Sequence, residues 1–161
     1  MNLYDWAVKW GVSQAAIDDL AVCFNPQFEP VQGGMTEAIL QATLRVEAVK
    51  LTSSLWRNNR GAMLDKDDRL VRYGLANDSS RLDKVFKSSD LIGITPVTWY
   101  GRKFGVFTAV ECKAPQWEFS PNDERAVAQR NFLAAVQAAG GIALFAQSVD
   151  AYKETVRQWR G

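Results

Sequence analysis

The chain has 161 residues, 47% hydrophobic and 23% charged, which suits one globular domain with a real core and room for a small appendage. Nineteen basic and eighteen acidic side chains leave a net charge of +1, which excludes a surface that is basic throughout. Histidine is absent and the two cysteines, Cys23 and Cys112, are far apart. Imidazole catalysis, His/Cys metal sites and a disulfide framework are therefore excluded, and an oxygen-ligand site for Mg²⁺ or Mn²⁺ is the kind left.

The N-terminus shows no basic region followed by an apolar run, and no segment approaches roughly 18 apolar residues. Neither a signal peptide nor a membrane span is expected, and a cytoplasmic location follows. Residues 1 to about 24 predict two short amphipathic helices, with Leu3, Trp6, Ala7 and Trp10 at helical spacing before Gly11. Ser13 caps the second, which carries Ala16, Ile17, Leu20 and Phe24. Pro26, Pro30, Gly33 and Gly34 mark a linker. Residues 1–34 thus predict a helical extension, and residues 35–161 the main domain.

Thr36 caps a helix predicted to run to about Leu51, with Leu40, Leu44, Ala48 and Leu51 on its apolar face. From Ser53 to Pro115 the composition turns β-branched and aromatic, and strands are expected near 54–59, 70–74, 89–95 and 104–113. Asn77 to Ser88 is expected as a surface loop, and Pro96 to Lys103 as the connection between the last two strands. Ser120-Pro121 predicts a helix start, with the helix ending at Gly140-Gly141. A strand over Ile142–Gln147 follows. Ser148 then caps a last helix with Tyr152, Val156 and Trp159 on one stripe. The order predicts an α/β fold, a mixed sheet flanked by helices.

Two stretches carry chemistry, Ser89-Asp90-Leu91-Ile92-Gly93 and Val110-Glu111-Cys112-Lys113. Strand alternation puts Glu111 and Lys113 on one face and Val110 and Cys112 on the other. Cys112 is then a small core residue whose backbone carbonyl can serve as a ligand. Asp90 opens a buried strand 21 positions before Glu111, a separation that fits adjacent antiparallel strands with the two carboxylates in reach of one ion. Glu-x-Lys alone recurs by chance, and taken in isolation it is better accounted for by a strand-end ion pair on a solvated face. Gln129 is more telling, because its helical neighbours are Ala126, Phe132, Leu133 and Val136, and a buried amide must find partners. Glu37 faces inward by its spacing to Leu40 and Leu44, and Glu47 competes with it as a third acid.

The ordered set is Thr36-Glu37-Ala38-Ile39, Trp56-Arg57-Asn58-Asn59 with Gly61, Val71-Arg72-Tyr73-Gly74, Ser88-Ser89-Asp90-Leu91-Ile92-Gly93, Val110-Glu111-Cys112-Lys113 and Gln129. Over about Met35 to Trp159 it resembles the VRR-NUC branch of the PD-(D/E)xK nuclease superfamily, in the compact stand-alone form of phages and bacteria. The resemblance implies a restriction-endonuclease-like core and a Mg²⁺- or Mn²⁺-dependent DNA endonuclease acting on branched DNA such as four-way (Holliday) junctions or flaps, with a homodimer as the working form. It places metal ligands on Glu37, Asp90, Glu111 and the Cys112 carbonyl, and the catalytic set on Asp90, Glu111, Lys113 and Gln129. Products with a 5′-phosphate and a 3′-hydroxyl are implied. Arg57, Asn58, Arg72, Lys84 and Lys87 are the expected DNA contacts. This chain departs from the pattern in an insert over Leu75 to Lys87, which bears on substrate preference more than on chemistry. A DNA-binding or packaging accessory that keeps the fold without cutting, and a protein that docks a partner through the Trp6/Trp10 helix, are the alternatives.

Overall fold

In the computed structural model, residues 9–11, 13 and 35–160 are described. The chain divides into two compact units, Met1–Gly34 and Met35–Gly161. Of the first, Lys9 and Trp10 are helical and Gly11 turns at φ +64°. The rest of the two expected N-terminal helices and their linker lies outside the described residues.

The second unit begins with helix α1, Glu37–Lys50, and Thr36 caps it, the Ile39 N–H donating to its hydroxyl at 3.2 Å. Leu40, Leu44 and Ala48 are fully buried, as the stripe predicts. Burying each leucine contributes roughly 2 kcal/mol. Strands β1 (Ser54–Arg57), β4 (Leu91–Trp99), β5 (Arg102–Cys112) and β6 (Ile142–Ala146) form one mixed sheet in the order β1-β4-β5-β6. The first three run antiparallel to their neighbours, and β6 lies parallel to β5. Helices α3 (Glu124–Ala138) and α4 (Val149–Arg160) flank β6 in sequence.

The sheet is covered on both faces. On one, α1 and the α4 residues Tyr152 and Val156 pack on Leu55, Leu91, Val110, Cys112 and Ala146. On the other, Phe132 and Leu133 of α3 pack on Ala109 and Ala143. Gly93 permits the close approach of β1, because a Cβ there would lie 1.8 Å from the Ser54 carbonyl oxygen. Among the described residues no helix is long and apolar enough to cross a membrane.

Several sequence expectations need correction. The single strand expected near 70–74 is one arm of a separate hairpin, β2 (Gly61–Leu64) with β3 (Leu70–Tyr73). Its strands bury almost nothing, so no apolar alternation announces β2. The loop expected over Asn77–Ser88 contains helix α2, Ser80–Val85, capped by Ser79. Six residues with none buried leave no periodic stripe to read. The Pro96–Lys103 connection is a continuation of both strands, with a tight turn at Tyr100-Gly101. Pro96 is tolerated because β1 ends its pairing at Ile94 and asks for no N–H there. Asp123, not Ser120, caps α3, the Ala126 N–H donating to its carboxylate at 3.1 Å. Leu51 is half-buried and packs against the core as expected, whereas Trp159 is exposed, so the α4 stripe ends at Val156.

Candidate functional site

The register that joins β4 to β5 pairs Leu91 with Val110. One step beyond that pair, Asp90 meets Glu111. The Asp90 backbone N–H donates to Glu111 Oε2 at 3.1 Å, and the Cys112 N–H donates to Asp90 Oδ2 at 3.1 Å. Each carboxylate therefore closes the ladder on the other's strand. The turn before Asp90 is pinned by Asn58, whose Nδ2 donates to Ser88 Oγ and the Ser89 carbonyl, both at 2.8 Å. The Asn58 N–H donates to the Asp90 carbonyl at 2.8 Å.

Glu111, Lys113 and Gln129 form one buried cluster, 1%, 7% and 2% exposed. The ammonium of Lys113 donates to Glu111 Oε1 at 3.1 Å and to Gln129 Oε1 at 2.9 Å. The Gln129 amide nitrogen donates in turn to Glu111 Oε1. The glutamine on the apolar face of α3 has thus found its partners at the sheet, as its position implied. Lys113 is roofed by aromatic rings, its Nζ lying 5.2 Å from the Trp117 centroid and 5.8 Å from that of Phe145. Gln147 Nε2 holds the strand exit below that roof through the carbonyls of Ala114, Pro115 and Trp117.

Burial pushes the Glu111 carboxyl up to about 7, and the nearby Asp90 carboxylate adds to it against the pull of Lys113. Asp90 is raised as well, by its own burial first, with the Cys112 N–H and Lys113 acting the other way. Burial also pushes the Cys112 thiol well up. The thiol sits in the core beneath α1 and α4, as strand alternation requires.

Glu37 departs from expectation. Leu40 and Leu44 are buried, but Glu37 itself is exposed in the first turn of α1. Sharing a helical stripe buries a side chain only where the body of the protein extends alongside it. The Glu37 charge still reaches the site, raising both Asp90 and Cys112. Glu47 is occupied elsewhere, paired with Lys153 at 2.8 Å and Lys50 at 2.6 Å. Among the described residues no three of Asp, Glu and Cys gather closely enough to hold one ion with side chains alone. A Mg²⁺-type site needs only one or two carboxylates, because the ion keeps several waters. Asp90 and Glu111 with the Cys112 carbonyl are a hard-oxygen set of that kind. Two acids held together in a buried place with one ammonium leave negative charge for a cation to offset.

A cleft of about 570 Å³ opens beside Asp90, lined by Arg57, Asn58, Asn59, Arg60, Tyr73, Lys87, Ser88, Ser89, Arg125 and Gln129. Of the expected DNA contacts, Arg57, Asn58 and Lys87 border it. Asn58 is committed to structural hydrogen bonds, with its Oδ1 also accepting from the Leu75 N–H at 3.2 Å. Lys87 is paired with Asp83 at 3.2 Å. Arg72 faces a different hollow and donates to Asn77 Oδ1 at 3.1 Å, and Lys84 is exposed on α2 away from the cleft lining. Sequence reasoning missed Arg125 and Tyr73. Arg125 stands four residues before Gln129 on α3, so helical spacing alone would have put it on the same side. No family model, no curated protein and no solved structure matches this chain.

Proposed function

We propose that this protein is a metal-dependent nuclease that hydrolyses phosphodiester bonds in DNA, on a core of the PD-(D/E)xK type that the sequence resembles. The observation that carries the reading is the buried Glu111–Lys113–Gln129 cluster, joined through Glu111 to Asp90 at the mouth of a cleft lined by four cations and one acid. A strand-end ion pair on a solvated face would need none of this burial. Four-way junctions and flaps are the substrates to try first, and a homodimer is the working form suggested by the resemblance.

Asp90, Glu111 and the Cys112 carbonyl would hold Mg²⁺ or Mn²⁺, with the Glu37 charge adding to the negative potential there. When bound, such an ion polarises the scissile phosphate and lowers the pKa of a bound water. The chain's own groups do the rest. Arg57 and Arg125 draw the phosphate backbone into the cleft without reading sequence. Lys113 orients the attacking water and offsets negative charge growing on the phosphate oxygens. Gln129 accepts from Lys113 and donates to Glu111, so it fixes both side chains in one rotamer. The Trp117–Phe145 roof keeps bulk water from the ammonium.

The rival reading, a nucleic-acid-binding protein that does not cut, is favoured by the lack of a third acid in the group among the described residues. Mn²⁺-dependent cleavage of junction, flap and single-stranded substrates by the wild type, Glu111→Ala and Lys113→Ala separates the two. Cleavage lost in both variants with DNA affinity retained is expected. Full activity in either would remove this site from the mechanism.

A further inference from the structure

The β2–β3 hairpin reaches the Asp90 cleft through Tyr73, its last residue, but shares no ladder with the main sheet. Both faces show apolar side chains to water, the paired Leu64 and Leu70 on one, but only the other face reaches the Asp90 cleft. Leu70 and Arg72 line a separate hollow. Tyr73 lines the cleft, and its face continues along the hairpin through Val71 and its partner Met63. These three residues are 46%, 44% and 60% exposed. A lone two-stranded hairpin gains nothing in stability by showing an apolar strip to water. The Tyr73 ring is also held in place. It lies against its cross-strand partner Gly61, where a Cβ would sit 2.5 Å from the hydroxyl oxygen. A side chain at that position would displace the ring.

We infer that the Tyr73–Val71–Met63 strip stacks the bases of an unpaired nucleic-acid strand, whose phosphates pass Arg57 and Arg125 toward Asp90. This rests on the nuclease reading and names its substrate class. A duplex presents phosphates and hides the faces of its bases, so it has no use for an apolar strip running out of a cationic cleft. An unpaired strand presents both surfaces at once, and aromatic stacking on it is tolerant of sequence. The hairpin therefore selects the single-stranded part of a flap, gap or fork.

The test is fluorescence anisotropy of labelled 20-nucleotide single strands, DNA and RNA in separate arms, against a 20-base-pair duplex. It uses the full chain with EDTA present so that nothing is cut. The wild type is expected to bind a single strand at least several-fold more tightly than the duplex. Tyr73→Ala should weaken that binding about ten-fold, Tyr73→Phe less than two-fold, and neither should change duplex binding by as much. Met63→Ser offers a second variant on the strip if Tyr73→Ala fails to fold, with an expected weakening of several-fold. Photo-crosslinking of a 4-thiothymidine strand should map to Tyr73 or Val71. Unchanged single-strand affinity in the folded variants, or crosslinks elsewhere, would overturn the proposal while leaving the nuclease reading standing. So would a dimer in sedimentation that Tyr73→Ala dissolves without touching strand binding, since the strip would then be a protein interface. Failure to bind or cut any nucleic acid would remove both readings.

Discussion

The backbone N–H of Asp90 donates to the Glu111 carboxylate at 3.1 Å, from a strand entry that lies 21 residues away in the chain. The contact holds two acids close together where water is scarce. Burial raises both carboxyls, and the Asp90 charge adds to the rise at Glu111 while this hydrogen bond opposes it. A group held this way weakens the folded state whenever it is charged.

Stability should therefore fall as the pH rises. Unfolded, Glu111 releases its proton near 4.5, and folded near 7. Between those values the folded state holds the extra proton, so raising the pH favours unfolding, by roughly 3 kcal/mol over the whole interval. Asp90 acts in the same direction. Urea unfolding at pH 5 and pH 8 should show this loss in the wild type and a smaller one in Glu111→Gln. An equal loss in both would mean that Glu111 is not the group responsible.

A divalent cation should reverse that effect. Mn²⁺ added to metal-free protein is expected to raise the melting temperature by several degrees at pH 8 and by little at pH 5, where protons compete for the carboxylates. EDTA should undo the change. The Asp90→Asn variant should show no shift at either pH, and a retained shift would place the ion elsewhere.

Lys113 is one partner of a buried pair, and removing it strands the other. Lys113→Met should cost about 3–5 kcal/mol of folding stability and lower cleavage by at least a hundred-fold. Gln129→Leu should cost about 1–3 kcal/mol, because two buried groups lose a partner. The double variant should lose clearly less than the sum, as residues in one network do. Additive losses in a thermodynamic cycle would show that the three side chains do not act as a unit.

Gly93→Ala tests the frame that carries Asp90. The new methyl would meet the Ser54 carbonyl oxygen at 1.8 Å, so β1 must move, at a cost of about 1–3 kcal/mol or more. Gly105→Ala is the comparison, since a Cβ there would meet only the Cγ2 methyl of the exposed Ile94 side chain, at 2.9 Å, and no backbone atom. Thermal melts of the two should differ by several degrees, and equal melts would contradict the β1–β4 packing.

Much of this was legible in advance for a physical reason. The residues that bury against something leave a signature behind, a helical stripe in α1, the parity of Glu111 and Lys113 in β5 and an unbroken apolar run in β6. Gln129 was legible because a polar residue on an apolar stripe is an exception that calls for a partner. The β2–β3 hairpin and α2 were not, because neither buries enough to impose a pattern. The start of α3 was misplaced because Ser120, Pro121 and Asp123 all offer capping chemistry, and local preference cannot choose among them.

By itself the sequence determined the kinds of group available, which are carboxylates, lysine and amide with no imidazole, and the strand parity that sets Glu111 and Lys113 opposite Cys112. Only the tertiary structure decided how they meet. The register of β4 against β5 brings Asp90 to Glu111, and α3 lays Gln129 across both Glu111 and Lys113. It leaves Glu37 exposed in the first turn of α1, because no other segment among the described residues lies over it. Period and parity are properties of a single segment, whereas burial and charge depend on what another segment places alongside.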